Sequence, residues 1–409
     1  YEHWLVASSY LAYGGALSVV RADDDGLTNG LVGIATSIKI KSLEHYEELG
    51  YDEITDVVVA ARNPGSWGNG LRVGIIDAKA DQILGINTTD ASVGYGITQA
   101  VPTNTIIAGS GTTSVLDGYF KGIITEVGSG EIGVKILNHI SAGGTDTQIE
   151  YQPGGKYKFS TGNIGFNTSG GVVGVATTAT STTDWFDQQS LTLTSSTTVK
   201  WNQLADRPGT SEYAAARGSR FDEVHVVVID GDGGVTGNSG TILEKHLSLS
   251  KAKDAEYSLG SPSYWRKFTA NSSQYIFAGS APAGIVTTGF KSGFNLETDV
   301  NWDQKAEGIT FAASGNYNSG FSTGTNYGGI STITSTGALS SGLDGLVTGY
   351  GLFENTEKYN VDFILMGSAG YGKEEAQALA NKCIAVAETR KDAVAFISPY
   401  RGTAITDTS

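Results

Sequence analysis

"FDEVHVVVIDGDGGVTGNSGTILEKHLSLS", residues 221–250, decides the fold class. FDEVHVVVID (221–230) is rich in β-branched residues, which fit a pleated, buried strand. TILEKHLSLS (241–250) is a second strand, and the glycine-rich GDGGVTGNSG between them predicts an antiparallel hairpin. Two other readings of this stretch are weaker. Asp230 ends its strand as a Walker-B Asp would, but the GDGG that follows reads as a turn. A calcium loop starting at Asp230 and Asp232 would have Gly234 at its fifth position and Thr241 at its twelfth, where a bidentate Glu is needed. His225 and His246 are expected to face each other as a cross-strand polar pair. The five histidines, at 3, 45, 139, 225 and 246, show no metal-ligand spacing.

Outward from the hairpin, helical and strand patterns alternate over 1–77 and 213–409. YEHWLVASSYLAYG reads as a short helix and ALSVVRA (16–22) as a buried strand. SLEHYEELGY reads as a helix capped by Ser42, with Glu in its first turn. LRVGIID (71–77), YIFAG (275–279), VDFILMG and AVAFIS read as strands. The pattern predicts a discontinuous α/β (α+β) layered core over 1–77 plus 213–409. Residues 78–212 hold short apolar runs between Gly, Ser, Thr and Asn, and predict an inserted, outward-facing all-β domain without an amphipathic helix. The Gly/Ser/Asn-rich stretch 312–342 reads as a long surface excursion.

MGSAGYGKEEAQ (366–377) comes close to a phosphate-binding loop. Gly367 to Lys373 reads G-x-x-x-x-G-K, but the next residue is Glu374, not the Ser or Thr that would bind Mg²⁺. Glu374 and Glu375 complement the helix N-terminus and repel phosphate. The better reading is a strand-to-helix turn. Its helix carries an apolar stripe of Ala376, Leu379, Ala380, Cys383, Ile384 and Ala387. Trp185 and Trp201 suggest a sugar platform, but aromatics of this kind are more often core. No G-x-S-x-G elbow appears. No catalytic, cofactor-binding or metal-ligating residue is nominated.

The 409 residues carry a formal net charge of −15 with no basic cluster, which disfavours direct contact with nucleic acid. Glycine, 56 of 409 or about 14%, is twice the usual share and sits with Ser and Thr, as in turn-rich β structure. The single Cys383 rules out an intrachain disulfide, and no apolar run is long enough to span a membrane. No secretory signal is read at the start, and both ends, without an initiator Met, are expected to be cuts through a larger polypeptide.

One segment is more specific than these. VVAARNPGSWGNGLRVGIID (58–77) resembles the A-x-x-P-G-x-x-G-n-x-l-x-v motif of contractile phage tail sheath proteins, with Pro64, Gly65 and Gly68 as the turn and Leu71, Val73 and Ile75 alternating in the strand after it. GALSVVRA (15–22), the 221–255 hairpin with a following helix, GALSSGLDG with the strand after it, and AVAETRKDAVAFISPY resemble other blocks of that family in the same order. WFDQQS and RPGTSEYAA in the insertion resemble sheaths of marine, T4-like myophages (cyanophage type). The resemblance implies a non-enzymatic virion subunit, made in the host cytoplasm and lacking here its N-terminal segment and C-terminal domain. It implies hexameric rings stacked helically on the tail tube, with baseplate and neck or terminator proteins as further partners, and no cofactor or membrane insertion. Contraction would drive the tube through the host envelope. The alternatives are a surface adhesin that binds glycans through the β insertion and, more remotely, a P-loop NTPase.

Overall fold

In the computed structural model, which describes residues 2–20, 26–50, 54–101, 105–107, 114–167, 173–280, 302–326, 343–367 and 372–400, the 221–250 segment is the expected hairpin. Glu223–Asp230 pairs antiparallel with Thr241–Ser250. Leu71–Asp77 lies antiparallel on its other side, with Val226 opposite Ile75. Asn316–Gly320 completes a four-stranded sheet. That last strand corrects the reading of 312–342 as surface excursion. Tyr317 packs on the core while the amides of Asn316 and Asn318 bond Ser190 O. The strand is hidden in sequence because its outward face is satisfied by amides, not by apolar groups. Residues 327–342 of that stretch lie outside the described residues.

A second, three-stranded sheet is built from Leu31–Gly33, Val57–Ala61 and Ile276–Ala278. One apolar cluster joins Val59 and Ile276 of this sheet to Val73, Ile75, Val226 and Val228 of the first, with Trp265 and Trp302 in T-shaped contact at 5.5 Å. The other side of the smaller sheet contributes Val57, Ala60 and Phe277 to a cluster with Tyr46, from the helix Leu43–Leu49. Ser42 caps that helix as expected, accepting from His45 N–H. The Pro64–Gly65 turn ends in a short 3₁₀ segment, Ser66–Gly70. Here a Cβ on Gly68 would stand 2.6 Å from Ala61 Cβ, and one on Gly30 would stand 2.8 Å from the Gly68 carbonyl carbon, so two glycines let three segments meet.

Residues 82–184 form a nearly closed, barrel-like antiparallel sheet. Gln82–Gly85, Glu131–Ile140, Tyr119–Val127, Gly96–Ala100, Gly162–Asn167 and Val173–Ala179 follow one another across it. The chain then continues through Thr180 into Ser181–Asp184, which pairs back onto Gln82–Gly85. One run of chain therefore supplies both ends of the sheet, leaving little open edge. Ile97, Phe120, Ile124, Val134, Ile136, Ile164 and Phe166 fill the interior. Two buried glutamines act as strand partners. Gln82 exchanges hydrogen bonds with the backbone of Phe159, and Gln99 with that of Ser160. After the barrel comes a helical turn absent from the sequence reading, Trp185–Gln188, capped by Asp184.

The contacts divide the chain into two compact units, Asn29–Gly324, which holds both sheets and the barrel, and Tyr1–Thr28 with Thr325–Ser409. In the second, Phe363–Leu365 runs parallel to Val394–Phe396, and the helix Lys373–Arg390 connects them. The helix buries Ala376, Leu379, Cys383 and Val386. Val386 takes the place expected for Ile384, which is 49% exposed. Arg390 holds the end of the helix by donating to Phe353 O, Tyr359 O and the Asp392 carboxylate. Residues 16–20, expected to begin a buried strand, form no strand and are mostly exposed. Arg21 and Ala22 lie outside the described residues.

Where the first sheet passes into the barrel, two carboxylates are buried four residues apart. Asp77 is fully buried and accepts from Lys251 Nζ (3.0 Å), Ser314 N–H (3.0 Å) and Gly315 N–H (2.7 Å). Asp81 accepts from Lys135 Nζ and Ile136 N–H, each at 2.8 Å. Removing one member of such a pair strands the other charge, so Asp77→Ala is expected to cost about 3–5 kcal/mol. The paired change Asp77→Leu with Lys251→Met should cost less than the single one. Denaturant unfolding measures both, and a loss below about 1 kcal/mol for Asp77→Ala would refute the clamp.

Candidate functional site

The residues singled out by sequence do not gather into one site. The Asp230 carboxylate accepts from Gly233 N–H, Val235 N–H and Thr236 N–H and Oγ–H. Burial pushes its pKa up, but those hydrogen bonds outweigh burial and hold it below the usual range. Both its oxygens accept hydrogen bonds from the turn, which disfavours the calcium reading. His225 and His246 do not form the expected pair. Counted from the turn, a bulge between Val228 and Ile229 displaces the register, so that Val226, not His225, lies opposite His246. His246 bonds Glu244 and meets the Phe268 ring edge-on. His225 instead accepts from Ser248 N–H at Nδ1 and donates from Nε2 to Asp206 O, each at 2.8 Å.

Trp185 and Trp201 are buried core residues, and each indole N–H is taken, by Glu126 and by Asn316. Neither presents a ring face to a sugar. Cys383 is buried, and burial pushes its thiol up to about 11, far from a nucleophile's range. Of the P-loop-like stretch, residues 368–371 lie outside the described residues. The helix beyond it starts at Lys373 with Glu374 and Glu375 in its first turn, as expected.

Other polar groups in the larger unit are also spent on structure. Asp222 accepts from Ser211 N–H and Oγ–H and from Ser250 Oγ–H. Asp303 takes the hydroxyl of Tyr264, the indole of Trp265 and the guanidinium of Arg266. Glu244 is pushed up by burial, but hydrogen bonds from His246, Ser273 and Gln274 outweigh it and hold the carboxyl below its usual range. Arg220 donates to Leu137 O and Ile149 O and so fastens the barrel to the hairpin. Among the described residues, no group of three or more His, Cys, Asp or Glu is placed to hold a metal. A polar hollow of about 400 Å³, lined by residues 202–206 with His225, Leu247 and Ser248, adjoins a second bulge, between Val224 and Val226.

The feature that stands out lies in the smaller unit. The apolar run of its strands reads as buried on both faces, as parallel strands usually are. Ile364 faces the helix, but Phe363, Val394 and Phe396 are 47%, 57% and 53% exposed, and the two Phe rings meet at 5.7 Å. Trp4, Leu5, Leu11, Tyr13 and Val19 are exposed in the same unit. The sequence signal for this face is a run more apolar than its own chain covers. Among the described residues, no helix is long and apolar enough to cross a membrane. Comparison with protein-family models, curated proteins and solved structures finds no match to this chain.

His225 sets a pH dependence. Burial lowers its pKa from the ordinary 6.5, outweighing its hydrogen bonds to Asp206 and Val224. The native state therefore binds this proton more weakly than the unfolded chain does. The stabilisation from neutral His225 is complete above the unfolded pKa and is lost as pH falls from about 6.5 toward the lower folded value. Unfolding free energy should fall as the pH drops below about 6.5, and His225→Gln should flatten that slope. An equal slope in the variant would assign it to other groups.

Proposed function

We propose that this chain is a structural, non-catalytic subunit of a contractile phage tail sheath, the family its 58–77 and 221–255 blocks resemble. In this reading it polymerises with copies of itself as helically stacked rings around a tail tube. Contraction of that lattice drives the tube through the host envelope, and the chain works within the virion. The observation that carries the reading is the uncovered apolar face of the smaller unit, Phe363, Val394 and Phe396. A two-stranded parallel sheet open on one face is marginal alone and gains stability from cover. A homopolymer whose contacts repeat without closing supplies that cover to each copy in turn. Rigidity also supports it, because a lattice that slides needs bodies that do not deform. The buried tryptophans count against the glycan-binding reading.

Electron microscopy of the full-length protein tests the proposal. Hollow tubes or stacked rings are expected. Phe396→Asp together with Val394→Asp should weaken assembly by about tenfold or more, by removing apolar burial worth about 1.5–3 kcal/mol per side chain. A full-length protein that stays monomeric at every concentration would overturn it.

A further inference from the structure

Arg72 is the second residue of the strand Leu71–Asp77, opposite Ile229 on one side and Gly320 on the other. Its side chain occupies a slot left by two glycines. A Cβ on Gly231 would stand 2.6 Å from Arg72 Cγ, and one on Gly320 would stand 3.5 Å from Nη1. Nε is buried without a partner, and among the described residues the guanidinium makes no hydrogen bond or ion pair. Arg62, Arg207, Arg217, Arg220, Arg266 and Arg390 each donate to a carbonyl or a carboxylate. The adjoining carboxylate, Asp232, accepts from Gly234 N–H instead.

The slot is rigid. Gly231 and Asp232 N–H both reach Gly70 O, at 2.8 and 3.2 Å, and Asp230 pins the rest of the turn. A cation held this way has lost much of its freedom already, so pairing costs it little further entropy. A buried N–H without a partner is a standing cost that a matching acceptor removes. The guanidinium fork fits a carboxylate through two parallel hydrogen bonds.

We propose that Arg72 is an anchor for a carboxylate on a second copy of this chain. The inference rests on the polymerising reading above and names a contact within it. Charge complementarity selects the occupant. The chain carries 42 Asp and Glu against 27 Lys and Arg, so a neighbouring copy presents mainly carboxylates. An unpaired arginine is the scarce partner in such a lattice, and its pairing fixes register as well as affinity.

The test uses the full chain. Wild type, Arg72→Gln and Arg72→Glu are compared by sedimentation and electron microscopy over a range of concentration and salt. Arg72→Glu is expected to raise the critical concentration for assembly about tenfold or more and Arg72→Gln by less, with the thermal unfolding of unassembled protein unchanged. Should Arg72→Glu disturb folding, Arg72→Gln alone decides. Separately, Arg72→Cys carrying a benzophenone is irradiated in the assembly; the only other thiol, Cys383, is buried. Cross-links to an Asp- or Glu-bearing peptide of a second copy support the proposal. Variants that assemble at the wild-type critical concentration, or cross-links confined to one chain, overturn it and leave the sheath reading standing. Wild type that never assembles removes both.

Discussion

The buried pairing of Asp77 with Lys251 is the constraint on which the larger unit depends. A carboxylate and an ammonium with no exposed surface are tolerable only when each finds its partner and the remaining hydrogen bonds are made. Asp77 meets that condition by gathering Lys251, just past the hairpin, and the amides of Ser314 and Gly315. These groups lie far apart in sequence, so the pair forms only when the hairpin, the central strand and the 312–315 segment are all in place. Four residues on, Asp81 repeats the device with Lys135 from inside the barrel. Between them Phe221 is held at φ +62°, its ring 4.0 Å from Lys135 Nζ and its N–H donated to Thr210 Oγ1. A bulky residue there is costly unless its surroundings over-determine it. The joint between sheet and barrel is therefore locked by charge, hydrogen bonds and packing at once.

Much of the secondary structure was legible because it follows local rules. The 223–250 hairpin, the Ser42-capped helix and the 71–77 strand each follow from β-branching, glycine turns or a capping residue. What escaped had its cause in tertiary contacts. Asn316–Gly320 is a strand because Asn side chains bond Ser190, which periodicity does not encode. Residues 16–20 have strand composition, yet no sheet receives them among the described residues. Val386 displaces Ile384 on the buried side because a stripe at 3, 4, 7 and 8 fixes a helical face only to within one residue. The bulge between Val228 and Ile229, which moves His225 out of line with His246, is likewise invisible to alternation, as one extra residue changes every later register.

The candidate site was legible in a different way. Residues that resembled chemistry, Asp230, His225, His246, Trp185, Trp201 and Cys383, are consumed by the fold. Among the described residues, an apolar face and an arginine side chain stand out as unsatisfied, and neither belongs to a catalytic pattern. Arg72 looked ordinary in sequence, because an alternating strand places polar residues at every second position. Its significance comes from what surrounds it, glycines where a partner could have been. The 363–365 strand carried more signal, since an apolar run without alternation implies two covered faces.

These two kinds of residue bear on how the proposed lattice stores energy. In the larger unit, the buried carboxylates Asp77, Asp81, Asp222 and Asp230 have their hydrogen bonds made within the unit. Its left-handed non-glycine residues are also tethered where contacts are seen. Ser248 N–H donates to His225, and Asp303 N–H to Lys251 O. Strain of this sort is worth about 1–3 kcal/mol per residue and is balanced on the spot. Releasing it would require breaking the clamps beside it, which cost more than the strain returns. On the proposed reading, the interior is thus a poor reservoir. The free energy that separates extended from contracted sheath must lie between copies, in apolar faces and charges that exchange partners as the lattice moves. A subunit closed inside and unsatisfied outside is the physical form that such a division requires.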